Sequence, residues 1–305
     1  MAAPGHRPIN SDDPQFESVR ELEAAGPPVT NRVSLPYYRP PTRRPRVINE
    51  SAVLESMSDS ELPVTLPDVA VASFGDSGFL EAVIGNDDRV KVDQSLLSAN
   101  PWRQICSLKI QSQSNQFYVG TAWFIGPKTL ATAGHCVFMQ NDGGWAKSIE
   151  VVPARFGGKS PFGKPVSKRF SSVDGWVEQA SRDFDYGVIH LDDDDAGQKV
   201  GNFDVQSFAD GLFNNVVLKV SGYPADRERA QFQYFHERPI QRLTETRLFY
   251  DIDTFGGQSG SPIWEDTEEF GVVAVGIHTT GGISSNSGTR INDHVIDNLI
   301  SWVEA

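Results

Sequence analysis

A serine hydroxyl becomes a nucleophile at neutral pH only when an imidazole takes its proton. The imidazole in turn needs a buried carboxylate to fix its tautomer and stabilise its charged form. One set of residues in this sequence is arranged for that chemistry. Ser259 lies in the small-residue run Gly257-Gln258-Ser259-Gly260-Ser261-Pro262, which presents a hydroxyl between glycines. His135 lies upstream in Thr132-Ala133-Gly134-His135-Cys136, and Asp185 lies between them in Asp185-Tyr186-Gly187. Taken singly, each has a plain structural explanation. Glycine and serine populate turns for backbone reasons, a histidine can end a strand, and an aspartate can sit on a surface. Together, each near a segment with strand character, they point to a nucleophile, a general base and an orienting acid.

Three groups so far apart in sequence need a scaffold that folds them together. From about residue 104 the chain breaks into short β-branched and aromatic runs bounded by Gly, Pro, Asn or Asp. They include 104–110, 116–125, 149–156, 186–191, 216–222, 232–242, 247–252 and 271–278. This pattern predicts an all-β domain of barrels or sandwiches. One helix closes the chain: Val295, Ile296, Leu299, Ile300 and Val303 recur at helical spacing after Asn292-Asp293. Its apolar face is expected to dock on the second barrel.

Residues 1–82 differ from the rest. They hold 11 of the 19 prolines, carry the basic tract Arg43-Arg44-Pro45-Arg46 and show little periodicity, which reads as a mostly extended arm or prosegment. The formal net charge of -13 argues against nucleic acid as a partner, because phosphate binding relies on Lys and Arg. No apolar run is long enough to span a bilayer. No HExxH or Cys/His cluster calls for zinc, so no metal or cofactor is expected. Calcium stays open as a stabiliser, although Asp192-Asp193-Asp194-Asp195 lacks the glycine of a calcium loop. The N-terminal residues lack the apolar core of a secretory signal, so export by another route, an upstream start and a cytoplasmic location all remain open.

Over residues 83–305 the chain resembles the bacterial glutamyl endopeptidases, a branch of the chymotrypsin-like serine proteases. The resemblance rests on Ile125-Gly126-Pro127-Lys128 leading into Ala131-Thr132-Ala133-Gly134-His135-Cys136, on Asp185-Tyr186-Gly187 and on Ser221-Gly222-Tyr223-Pro224. It rests equally on Asp253 to Pro262 and on Gly288-Thr289-Arg290-Ile291. The order histidine, aspartate, serine is that of the chymotrypsin type. The resemblance implies two six-stranded antiparallel β-barrels, over roughly 83–200 and 201–291, followed by a helix over 292–304. It assigns His135, Asp185 and Ser259 to catalysis, with Asp185 preferred over the nearby Asp183, and the backbone N–H groups of Gly257 and Ser259 to the oxyanion hole.

The same resemblance assigns the pocket. A glutamate side chain entering a protein must exchange its water shell for donors or positive charge, and His278 and Thr254 match the family positions that supply them, with Thr279 and Gly281 alongside. Val83 matches the first residue of mature family members, whose α-ammonium reaches the substrate carboxylate, so Ala82–Val83 is the expected processing site. The residue before Ser259 is Gln258, which carries no charge, so a trypsin-type activation pair is missing. With alanine at 82, a glutamate-specific enzyme would not make that cut itself; cleavage after Glu81 would leave Ala82 as one extra residue, and an activating protease of another specificity is the alternative. The expected product is a monomeric, secreted endopeptidase acting on proteins or peptides with Glu, less readily Asp, before the cut. A different side-chain preference, or a non-catalytic binding protein on the same fold, are the alternatives. Many relatives bridge the cysteine after the catalytic histidine to a cysteine on the preceding strand. That position here is Gly120, which leaves either a Cys106–Cys136 bridge or two free thiols.

Overall fold

The computed structural model describes residues 3–13, 70–71, 83–267, 271–282 and 285–305. Most of the proline-rich region, including Ala82 and the basic tract at 43–46, lies outside the described residues.

The first barrel is built from Ile105–Gln111, Phe117–Phe124, Thr129–Thr132, Ser148–Pro153, Val166–Ser167 with Arg169–Val173, and Gly187–His190. All neighbours among these pair antiparallel. Because 166–167 and 169–173 are one run of chain, pairing with 148–153 at one end and with 187–190 at the other closes the ring. The strands form where side chains alternate. In Ser148–Pro153, Ile149 and Val151 are buried while Ser148 and Glu150 are partly exposed, the two-residue period of a pleated strand.

The second barrel comprises Val217–Gly222, Tyr234–Pro239, Arg247–Tyr250, Pro262–Thr267, Gly271–Thr280 and Asn286–Arg290. The short strand Arg242–Leu243, continuing from Pro239, pairs with Arg247–Tyr250 and closes this ring. Short flanking strands extend each barrel's hydrogen-bonded sheet to nine strands. One of these changes a boundary. Val90–Lys91, placed with the first barrel on sequence grounds, pairs with Tyr234–Phe235 of the second.

Three apolar clusters hold the domain. Leu108, Phe124, Leu130, Val151 and Ile189 fill the first barrel. Leu218, Val220, Leu248, Ile263 and Val275 fill the second. Trp123, Trp176, Tyr186, Tyr223 and Trp264 form a third cluster whose members come from both barrels. Each buried aliphatic or aromatic side chain contributes about 1.5–3 kcal/mol, so the interface cluster adds its own share to stability.

Two features depart from expectation. The helix, Asp293–Glu304 with Asn292 as its N-cap, buries Val295, Asn298, Leu299 and Trp302, while Ile300 and Val303 stay exposed. It leans on the first barrel rather than the second. Thr129 Oγ1 donates to the Trp302 carbonyl at 3.4 Å, and Asn298 Nδ2 donates to the Tyr186 hydroxyl at 2.8 Å. The other departure is at the N-terminus, where Pro8–Asn10 forms an antiparallel strand on Val173–Ser171. Ile9 enters the interface cluster, which a solvated arm would not do.

Candidate active site

Strands 129–132 and 187–190 are antiparallel neighbours with Thr132 opposite Gly187. The chain leaving one and the chain entering the other therefore meet at the same end of the first barrel. His135 follows in the helical turn Gly134–Val137, and Asp185 precedes Gly187 after the turn Arg182–Phe184. Both are buried. Asp185 Oδ2 lies 2.8 Å from His135 Nδ1, and Asp185 Oδ1 accepts the His135 backbone N–H at 2.9 Å. Two bonds to one residue fix the ring's position and tautomer together. Burial alone would lower the His135 pKa, but the Asp185 carboxylate outweighs it and holds the imidazole well above its ordinary value. Asp183 is exposed and accepts from Thr246 Oγ1 at 2.9 Å, so it serves a different contact.

Ser259 comes from the second barrel, on the turn between Tyr250 and Pro262. Gln258 N–H donates to Phe255 O at 3.0 Å and Ser261 N–H to Gln258 O at 2.9 Å, which makes the turn tight. Gly257 has φ +102°, and a Cβ there would lie 2.6 Å from the Tyr223 carbonyl oxygen, so glycine is required.

The Ser259 turn is tied into the other barrel. Thr121 donates its N–H to Ser259 O at 2.9 Å and its hydroxyl to Gly257 O at 2.8 Å. Thr132 Oγ1 in turn donates to Thr121 O at 2.8 Å. From the opposite side, Thr289 Oγ1 donates to Asp185 O at 2.9 Å. Thr132 and Thr289 lie in the motifs quoted above and Thr121 in none, but nothing in the sequence assigns these hydroxyls a task. Their role is visible only once the barrels are together.

The residues assigned to a pocket fall around the same turn. His278 N–H donates to Ser261 O at 2.8 Å, and His278 O accepts from Gly260 N–H at 2.7 Å, so strand 271–280 runs beside the Ser259 turn. The His278 ring is buried with Nδ1 2.6 Å from the Tyr250 hydroxyl. Thr254 is fully buried, and its hydroxyl has no hydrogen-bond partner among the described residues. Gly281 is buried at the end of the strand. Thr279 is buried too, but its hydroxyl accepts from Arg247 Nη2 at 3.2 Å, which assigns that side chain to a structural contact.

Asp253 was not anticipated. It is buried beside Thr254, and its carboxylate accepts the N–H groups of Ile84 at 2.7 Å and Asp88 at 2.9 Å. Val83 is thereby held next to the pocket residues, while the bond to Ala82 lies outside the described residues. Arg89 fastens the same segment. Its buried guanidinium meets Asp87 at 2.7 Å and Asp226 at 2.6 Å. With two carboxylates on it, Arg89 is held above its ordinary pKa despite its burial, and Asp87 is held below the usual carboxylate range.

A model of the trypsin family matches residues 93–303. The chain is 37% identical to a glutamyl endopeptidase of Bacillus licheniformis over 230 residues, 73% of this chain and 69% of that protein. The chain belongs to the trypsin family and is a serine endopeptidase. It is 33% identical over 222 residues to a Bacillus subtilis protein named extracellular metalloprotease, covering 72% and 69% of the two chains. The solved structure of a Glu endopeptidase with bound MPD superposes at a TM-score of 0.65, with 24% identity over 73% of this chain and all of that one, which shows the chymotrypsin-like fold.

Among the described residues, one trio, Asp88, His236 and Asp253, brings potential metal-binding atoms within 4.8 Å of one another. The Asp253 oxygens already accept two N–H groups, and His236 Nδ1 accepts the Asp253 N–H at 2.8 Å.

Cys106 and Cys136 do not bridge; both are free and buried. The reason is register. Cys106 sits opposite Ala122 while Leu108 sits opposite Gly120, and it is Gly120 that faces Cys136. Cys106 is therefore about 7 Å along the strand from the place a bridge requires. A Cβ added at Gly120 would lie 3.1 Å from Cys136 Sγ, close to the Cβ-to-sulfur separation within a disulfide. Gly120→Cys is expected to bridge to Cys136 under oxidising conditions and to stabilise the protein by about 3 kcal/mol, the value for a loop of this length. Thermal melts with and without reductant, beside a count of reactive thiols in denaturant, test it. A variant with three reactive thiols after oxidation would refute the geometry.

Proposed function

We propose that this serine endopeptidase cleaves after glutamate, and less readily after aspartate, through a triad of Ser259, His135 and Asp185. The observation that carries the specificity is Thr254, a buried hydroxyl with no partner among the described residues, beside the nucleophile turn. A buried polar group without a partner is uncommon and costs stability unless a ligand completes it. His278 supplies the second donor. Its Nδ1 lies 2.6 Å from the Tyr250 hydroxyl, which orients the ring in the pocket. The α-ammonium of a chain beginning at Val83 supplies positive charge, with an ordinary pKa near 8.

In the reaction, Ser259 Oγ adds to the scissile carbonyl while His135 Nε2 takes its proton. The backbone N–H groups of Gly257 and Ser259 stabilise the oxyanion, each such donor contributing about 3 kcal/mol in the transition state. His135 then gives its proton to the leaving amine, and water attacks the acyl-enzyme by the same route in reverse. The precursor is activated by another protease between Ala82 and Val83. The mature enzyme is secreted, acts as a monomer and needs no cofactor.

The test is cleavage of paired peptides differing only in Glu or Gln before the cut, using protein that begins at Val83. Glu is expected to be strongly preferred. His278→Ala should reduce that preference on the order of tenfold to a hundredfold, as for loss of a charge-assisted hydrogen bond of about 1.5–3 kcal/mol. Equal cleavage of the two peptides by the parent protein would refute the acidic pocket and leave the triad standing.

A further inference from the structure

Residues 3–13 are bound to the protease domain in a manner that a disposable leader does not require. Pro8, Ile9 and Asn10 pair with Val173, Ser172 and Ser171. The pairing continues where Ser11 N–H donates to Phe170 O at 2.9 Å and Ser171 Oγ to Asn10 Oδ1 at 2.6 Å. This is strand addition to a sheet edge, in which main-chain bonds supply affinity and side-chain seats supply register.

The seats are specific. His6 is buried, with Nδ1 2.9 Å from the Tyr186 hydroxyl and its carbonyl accepting from Asn298 Nδ2 at 2.9 Å. Its ring packs on Phe184 at 4.9 Å. Gly5 passes over the same phenylalanine with φ +80°, so close that a Cβ would lie 2.3 Å from the ring. Arg7 closes the surface side with Asp174 at 3.5 Å and Glu178 at 2.6 Å. Phe184 and Tyr186 flank Asp185 in the sequence, so the segment packs directly behind the catalytic carboxylate.

We propose that residues 3–13 are a resident edge strand of the protease domain, and that after the chain is cut anywhere between residues 14 and 82 the N-terminal fragment stays bound as a second, noncovalently held chain. The proposal goes beyond the reading of specificity and activation given above and does not depend on where the natural cut falls.

The groups facing His6 are His294, at 5.0 Å between rings, Tyr186 and Asp174, with Arg7 and Glu178 at the rim. Burial, with His294 nearby, lowers the His6 pKa to about 4, so the neutral ring is the form that fits. Binding is therefore at full strength above pH 6.5 and weakens as pH falls from 6.5 toward 4, by up to about tenfold per unit.

The test uses the full-length chain with Ser259→Ala, to prevent self-digestion, and a site-specific protease sequence inserted between residues 46 and 47. After complete cutting, judged by intact mass, the mixture is run on a size-exclusion column at pH 7.5. The fragment from residues 1–46 is expected to elute with the protease domain and to separate from it when Gly5→Val is present. A second series, cut and run at pH 7.5, 6 and 5, should show progressive release. A wild-type fragment that separates at pH 7.5 would overturn the proposal. A Gly5→Val fragment that still co-elutes, or retention unchanged down to pH 5, would overturn the seating on Phe184 and His6 that the proposal requires.

Discussion

Ser259→Ala, made in protein that begins at Val83, is expected to lower kcat/KM on a glutamyl peptide by about a millionfold and to leave the thermal melt unchanged. The size of the loss follows from the division of labour. Without the hydroxyl, His135 and Asp185 have nothing to deprotonate, and removal of the serine or the histidine of such a unit costs nearly as much as removal of all three. Cleavage over water would persist at about a thousandfold to ten-thousandfold, from the oxyanion donors and binding alone. The fold should be indifferent, because the turn is held by the main chain. The Ser259 carbonyl keeps its bond from Thr121 N–H, and the Gly257 carbonyl its bond from the Thr121 hydroxyl. Steady-state kinetics beside a calorimetric melt provide the check. A variant with about 1% or more of parent activity would mean that another group is the nucleophile.

Asp185→Asn is expected to lower kcat by about ten-thousandfold through a tautomer rather than a contact. Asp185 accepts two hydrogen bonds from the same residue, one from the His135 main chain and one at Nδ1. An amide can keep only one acceptor there. If its oxygen stays on the backbone N–H, its NH₂ faces Nδ1 and forces the ring proton onto Nε2, the atom that must accept from serine. The sign of the pH effect follows from the same site. The carboxylate raises the His135 pKa against burial, which lowers it. In the parent enzyme the acid limb of kcat/KM should therefore have its midpoint above 6.5, with activity rising as the ring loses its proton. In the variant the largest upward contribution is gone, so that midpoint should move down while the plateau collapses. A pH-rate profile for each protein reads both effects. An unchanged midpoint together with a small loss of rate would remove Asp185 from the role assigned to it.

The residues of the proposed triad stood out because chemistry restricts such groups to a few types in a few settings, and the runs around 135, 185 and 259 are short and local. Most strands were legible for the same local reason. Four barrel strands escaped notice, Thr129–Thr132, Arg169–Val173, Pro262–Thr267 and Asn286–Arg290, and the last two do not look like strand. Asn286–Arg290 reads Asn-Ser-Gly-Thr-Arg, polar and glycine-containing, yet every residue is buried because it is paired on both sides by 247–250 and 276–280. Pro262–Thr267 opens with proline and carries acidic residues, one of them the buried Glu265, but is held between 217–222 and 271–280. Tertiary pairing overrides propensity in both. The helix was placed correctly along the chain and wrongly in space, since periodicity identifies an apolar face without naming what covers it. Asp253 and Thr121 escaped for a related reason. Both act on backbone groups far away in the chain, Asp253 on Ile84 and Thr121 on Gly257.

Because His135 and Asp185 belong to one barrel and Ser259 to the other, the site works as a gauge of the gap between two folded bodies. A slip of about an ångström along that seam costs roughly a hundredfold in rate. It would alter no strand. Loss of activity on storage or in mild denaturant is thus an early sign of loosening at Thr121 and Thr289 rather than of unfolding. Durability is to be sought in fastening the two halves to each other, since a better-packed core in either one would leave that gap untouched.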